Sequence, residues 1–143
     1  YSVASKVKRE RGLSGVIIDY LGQVSGRKSA ESRQVEVSEN SRACKVMARM
    51  LDVPVLVLAQ VNRLPSGRSD HRPMLTDLRD SGAIEADSDV VIFVYRDEVY
   101  DKATQDQGIA ELIVAKHRQG PTGTVKVAFL GQYSRFANMA RTP

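Results

Sequence analysis

The sequence predicts an α/β fold, mainly a parallel sheet, finished by an antiparallel carboxyl-terminal hairpin. Three observations carry that prediction. Two short apolar runs rich in β-branched residues, GVIIDYL and VPVLVLAQ, flank a segment of helical periodicity. A third such run, DVVIFVYRD, follows them. Finally, IAELIVAKHR and GTVKVAFLG stand on either side of a short turn containing glycine and proline. Unbroken apolar strands belong to sheets covered on both faces, and two of them joined by a helix form a βαβ unit with a right-handed crossover.

Each element follows in order. Residues 2–11 read as the end of a basic helix that Gly12 and Gly15 break. Val16, Ile17 and Ile18 make the first buried strand, and GQVSGRKSAES is the polar loop after it. From Arg33 to Leu51 the apolar and small residues Val37, Ser41, Cys44, Met47, Ala48 and Leu51 recur at three- and four-residue steps, which marks the buried face of a helix. Pro54 stops that helix, and VPVLVLAQ gives the second buried strand. NRLPSGRSDHRPM, residues 62–74, is a long polar loop with two prolines, and loops of this length are functional or disordered. TDLRDSGAIEADS predicts short helical turns interrupted by Gly82, and DVVIFVYRD the third buried strand. A loop around Asp101 to Gly108 leads into the hairpin, and a last short strand is expected near residues 133–137.

The 143 residues suffice for one domain with a sizeable core, and 42% hydrophobic with 27% charged residues is ordinary for a soluble chain. The longest apolar stretch, from Val53 to Ala59, is too short to span a bilayer. The basic start leads into no long apolar region, so no signal peptide is expected, and the absence of an initiator Met predicts a fragment or a processed chain. Cys44 is the single cysteine, which excludes an internal disulfide and fits a reducing cytoplasm. A net charge of +4 leans towards a polyanionic partner. With no Trp and 6% aromatics, an aromatic platform that stacks single-stranded bases is not expected.

Four stretches can carry chemistry. Asp19 directly follows an apolar strand, so it lies at the carboxyl edge of the sheet, where open α/β sheets bind ligands. There it either holds a magnesium ion that bridges phosphates or caps the next turn. Gln60 repeats that geometry after the second strand; its amide either orients water near a terminal phosphate or is a plain loop residue. Lys116 and Arg118, spaced i, i+2, point to one face of a strand end. They read either as a solvated pair that protects a sheet edge or as an ammonium and a guanidinium aimed at a phosphoryl group. His117 points to the opposite face as a packing or surface residue. In LRDSGAIEAD, Gly82 lets backbone approach a ligand and Arg79 suits a phosphate. Asp77, Asp80, Glu85, Asp87 and Asp89 read as helix caps rather than as a metal cluster, and Cys44 with the histidines has no metal-ligand spacing. The chain has no G-x-x-x-x-G-K-[ST] loop of its own.

Taken in order, VIIDYLG, VPVLVLAQVNR, LTDLRDSGAIEADSDVVIFVYRDEVY and AKHRQGPTGTVKVAFLGQYSRF resemble the bacterial replicative DNA helicase (DnaB-like) family over nearly the whole chain. The resemblance implies a RecA-like P-loop ATPase core, of which residues 1–143 are the carboxyl-terminal half as a single partial domain. It implies a homo-hexameric ring that moves along single-stranded DNA using ATP and Mg2+. Asp19 matches the Walker B aspartate that holds magnesium through water, and Gln60 the glutamine that links the nucleotide site to the DNA loops. Arg79, Asp80 and Gly82 match the loop that grips the DNA backbone. Lys116 and Arg118 match the pair that reaches a neighbouring subunit's terminal phosphate. Primase and a helicase loader are the partners implied for the full-length chain, in the cytoplasm and without a membrane.

Three departures accompany the match. Gly22 stands where the family usually has Gln, Asn40 stands where relatives place an apolar residue, and the Walker A loop and catalytic glutamate lie upstream in the family. The fragment is therefore expected not to hydrolyse ATP alone. Two other functions compete with the motor reading. One is a recombination or branch-migration ATPase of RecA type, whose post-strand motif is typically K-N-R-F-G. The other is a non-catalytic module that docks on DNA or a loader, which has no need of Asp19, Gln60, Lys116 and Arg118 together.

Overall fold

A computed structural model describes residues 2–24, 33–61 and 69–139; the side chains of Arg33, Arg79, Asp80 and Ser81 lie outside the description. Two units form, one of Tyr1–Asn62 with Leu78–Ser88 and the other of Arg63–Asp77 with Asp89–Pro143.

In the first unit, α1 (Ser2–Arg11) ends where Gly12 takes φ +78° and its N–H reaches the Lys8 carbonyl at 3.1 Å. That left-handed residue closes the helix, as glycine does without a Cβ penalty. The Lys8 ammonium donates to the Leu51 carbonyl at the end of α2 (Arg33–Leu51), where the helix dipole is negative. The face of α2 given by the three- and four-residue spacing is the sheltered one. Ser41 and Leu51 are buried, and Val37, Cys44, Met47 and Ala48 are half-buried.

Asn40 corrects an expectation. It is no weak point in the packing. It is buried, and its Nδ2 donates to the Val24 carbonyl at 2.8 Å, which ties the turn after the first strand to α2. Asn40→Ala leaves that carbonyl without its partner, and we expect a loss of about 1–2 kcal/mol, read from the midpoint of denaturant unfolding.

The strand β1 (Val16–Ile18) pairs in parallel with β2 (Val55–Val57), Val16 opposite Val55 and Ile18 opposite Val57. Helix α2 contacts β2, as the βαβ reading requires. The expectation of strands buried on both faces does not hold within this chain, because Ile17 is 72% and Leu56 58% exposed. Val16, Ile18, Val55 and Val57 are half-buried on the other side. A run that is apolar at every position cannot say which of its faces this chain covers.

After the short α3 (Gly82–Asp87), the second unit holds one antiparallel sheet in the order β3-β4-β5-β6. Its strands are β3 (Val90–Tyr95), β4 (Ile109–His117), β5 (Gly123–Leu130) and β6 (Arg135–Ala137). The predicted hairpin and last strand are present. The third strand, expected to be buried, instead alternates: Phe93 and Tyr95 are buried, whereas Val90, Ile92 and Val94 are exposed.

Charged groups organise this unit as much as apolar ones. Glu111, buried on β4, receives Arg72 as a fork, Nε to Oε2 and Nη2 to Oε1, both at 2.7 Å. Such a bidentate pair is short, directional and strong. It holds the Arg72 guanidinium above its ordinary pKa and seats it over the Tyr95 ring, 4.9 Å from the centroid. Burial, then the hydrogen bond to Asp97, pushes the Tyr95 phenol up. Asp97 accepts from Thr104 at 2.6 Å and from Tyr95 at 2.5 Å, which holds its carboxyl below the usual range. Arg96 lies over Phe129 and pairs with Glu98, whose other oxygen accepts the Gly108 N–H at 2.9 Å. The β3–β4 loop is thus tied at both ends. Among the described residues no helix is long and apolar enough to cross a membrane.

Candidate nucleotide and DNA site

The first pair of predicted residues meets at one edge of the β1–β2 ladder. Pairing continues past the strands, since the Leu58 N–H reaches the Ile18 carbonyl and the Leu21 N–H the Leu58 carbonyl, both at 2.9 Å. Those two bonds hold the segments carrying Asp19 and Gln60 side by side at the carboxyl ends of parallel strands. Both residues are exposed, and a shallow depression there is lined by Tyr20, Leu58, Ala59 and Gln60. The Asp19–Tyr20 peptide is cis.

The donor set bears on what could bind. Among the described residues no three His, Cys, Asp or Glu side chains gather to cage a metal. Asp19 alone fits a magnesium ion that keeps most of its waters and takes further ligands from phosphates, as Mg2+ commonly does. A calcium-type cage of six to eight protein oxygens does not fit.

The second pair lies on the second unit. Lys116 is opposite Val91, His117 opposite Val90, and the Arg118 N–H reaches the Asp89 carbonyl at 2.8 Å. The cations therefore flank the amino end of β3, and β3's carboxyl end at Tyr95 pairs with Glu111 instead. The register shifts between Val91 and Ile92, so that Ala115 is the extra residue of a bulge just before Lys116. Bulges bend a strand and re-aim the side chains beside them. The Arg118 Nη1 lies 3.7 Å from Asp89 Oδ1, with the two side chains 49% and 59% exposed. A long contact between half-solvated groups is worth little, so Arg118 can turn to a stronger anion at small cost.

Of the predicted DNA loop, Arg79 and Asp80 lie in the 3₁₀ stretch Leu75–Ser81, and their side chains are outside the described residues. Gly82 opens α3, is exposed, and has no atom near where a Cβ would stand. Asp77 caps the turn as the sequence suggested, its Oδ2 accepting the Met74 N–H at 2.7 Å and its own N–H reaching the Met74 carbonyl at 2.9 Å. Asp19 with Gln60 and Lys116 with Arg118 are thus each brought together within a unit. Sequence reasoning missed the Arg72–Glu111 fork, although a glutamate inside the apolar run of IAELIVAKH was a visible sign of a buried partner.

Comparison with known proteins adds an independent line. The family model for the DnaB-like helicase C terminal domain matches residues 1–138. The chain is 56% identical over 135 residues to the replicative DNA helicase DnaB of Leifsonia xyli subsp. xyli, covering 94% of this chain and 30% of that protein. It is 48% identical over 137 residues to the replicative DNA helicase DnaB of Geobacillus stearothermophilus, covering 95% and 30%. It therefore spans about a third of the length of these curated relatives. Among solved structures, an ATPase domain determined by itself matches with a TM-score of 0.89 at 44% identity, covering 96% of this chain and 49% of that one. A DnaB-like replicative helicase, described with its interactions with primase, matches with a TM-score of 0.91 at 46% identity, covering 96% and 34%. These neighbours give the chain the RecA-like α/β fold of DnaB ATPase domains. On the match over residues 1–138, the chain belongs to the DnaB-like helicase C-terminal domain family.

Proposed function

We propose that this chain is the carboxyl-terminal half of the RecA-like ATPase domain of a hexameric replicative helicase. The whole protein moves along single-stranded DNA at the expense of ATP and opens duplex at the replication fork, in the cytoplasm, with primase and a loader as partners. The observation that carries the reading is the placement of Asp19 and Gln60 at the carboxyl ends of adjacent parallel strands, within a family match over residues 1–138. The exposed apolar positions Ile17, Leu56, Val90, Ile92 and Val94 suit faces that a fuller ATPase domain would cover. The chain alone, without a Walker A sequence, would not turn over ATP.

The residues take distinct roles. Asp19 would hold magnesium, which supplies Lewis acidity at the phosphate oxygens when bound. Gln60 orients the attacking water and registers the terminal phosphate. Lys116 and Arg118 stabilise charge on the transferred phosphoryl group of a neighbouring subunit. Their position beside the amino end of β3 supports that assignment, because a nucleotide in an open α/β sheet lies at the carboxyl ends of the strands. Arg79, Asp80 and Gly82 grip the DNA backbone.

Backbone grip predicts binding with little sequence preference and a steep salt dependence. The test is fluorescence titration of single-stranded oligonucleotides against the full-length protein at several salt concentrations, beside an assay for ATP-dependent unwinding of a forked duplex. Arg79→Ala should weaken binding about uniformly across sequences and reduce the slope of log K against log salt by about 1. An unchanged slope removes Arg79 from the DNA, and a full-length protein that unwinds nothing removes the reading itself.

A further inference from the structure

The strand end that carries the two cations loses one of its neighbours. Val114 opposite Gly123 is the last pair of the β4–β5 ladder, whereas β4 runs on to His117 beside β3 alone. Residues 115–122 are held by β3 on one side and, on the other, only by their own turn.

The His117 side chain fills that open side. Its ring lies over Gly120 so closely that a Cβ built there would stand 2.5 Å from His117 Nδ1, 3.0 Å from Nε2 and nearer still to Cε1. The Nδ1 atom lies 3.3 Å from the Pro121 carbonyl, which can only accept, so Nδ1 donates. The three atoms nearest that Cβ position all belong to the histidine ring, and Gly120 has no left-handed φ, so the demand for glycine comes from the histidine. Sequence reasoning placed His117 as packing or surface; it packs on the turn itself.

We propose that His117 is the positioning residue of this hairpin. Seated in the space left by Gly120 and joined to Pro121, it replaces the missing strand neighbour and fixes the directions of Lys116 and Arg118. The inference rests on the reading that these cations meet a phosphoryl group. A displaced cation pair stabilises the transition state less and leaves ground-state nucleotide binding, made elsewhere, nearly untouched.

The test uses the full-length helicase with His117→Ala, Gly120→Ala, the double substitution, His117→Gln and Arg118→Ala, each checked for melting temperature and ring assembly. His117→Ala and Gly120→Ala should each lower kcat for ATP hydrolysis about tenfold or more while KM stays within about twofold. The double substitution should be no worse than either single one, since both remove one contact. His117→Gln, whose amide donates to the Pro121 carbonyl, should recover much of the loss. If Arg118→Ala abolishes turnover but His117→Ala and Gly120→Ala keep the parent kcat, or if their effects multiply, the inference is overturned and the reading of Arg118 stands. If Arg118→Ala leaves kcat unchanged, both fall.

Discussion

Arg118→Ala in the full-length protein is expected to lower kcat for ATP hydrolysis by about 10³–10⁵-fold, the range for a guanidinium that meets transferred phosphoryl charge. Nucleotide affinity should change little, because the developing charge exists only in the transition state. The local geometry makes this loss specific. Arg118 ends β4 through its own backbone bond to Asp89, which alanine retains, and its side-chain contact at 3.7 Å holds little energy. Removing the guanidinium therefore costs the fold almost nothing and the chemistry nearly everything. Arg118→Lys should rescue poorly, since a compact ammonium lacks the planar fork that spans two phosphoryl oxygens. Steady-state ATPase kinetics with a separate nucleotide-binding titration checks both statements.

Asp19→Asn carries the second large effect. The exchange is isosteric and exposed, so unfolding should not shift measurably. What changes is the charge next to magnesium. With no other acidic cluster among the described residues to share the ion, we expect kcat to fall on the order of 10³-fold, several kcal/mol of lost metal-assisted charge stabilisation. Titrating Mg2+ separates the two variants. Raising the ion should recover part of the Asp19→Asn activity and none of the Arg118→Ala activity.

Much of this architecture can be read from residue order, for identifiable reasons. Pro54 and the spacing from Val37 to Leu51 bound α2 because both act locally. The Gly- and Pro-containing turn between two apolar runs marks the β4–β5 hairpin in the same way. Exposure is harder to read. VVIFVY is apolar at every position, so nothing in it tells that Val90, Ile92 and Val94 face outward here while Phe93 and Tyr95 are buried. Distant partners are harder still. Asn40 meets a carbonyl 16 residues away and Arg72 a carboxylate 39 away, and no local pattern encodes either contact.

The candidate site divides along the same line. Asp19 and Gln60 stand out because a polar residue after an apolar strand is a local signature, and the β1–β2 ladder brings their segments together. The spacing of Lys116 and Arg118 is equally plain. The bulge at Ala115 that aims them is not, because it depends on register against β3. Their proposed roles come from the family resemblance, which supplies chemistry that spacing alone leaves open between a capped turn, a surface pair and a phosphate site.

The central claim is that each nucleotide is completed by cations from the next subunit, and subunit mixing tests it most directly. Asp19→Asn and Arg118→Ala full-length proteins, each inactive alone, are combined under conditions in which labelled subunits demonstrably exchange between rings. Single-turnover hydrolysis of pre-bound ATP is then measured, so that one dead site cannot stall its neighbours. Random assembly at equal amounts pairs an intact Asp19 with an intact Arg118 across roughly a quarter of the interfaces of a cyclic ring. The account predicts that about this fraction of bound ATP is hydrolysed at the parent rate. Exchange without any such fraction would place Arg118 beside its own subunit's nucleotide and contradict the claim.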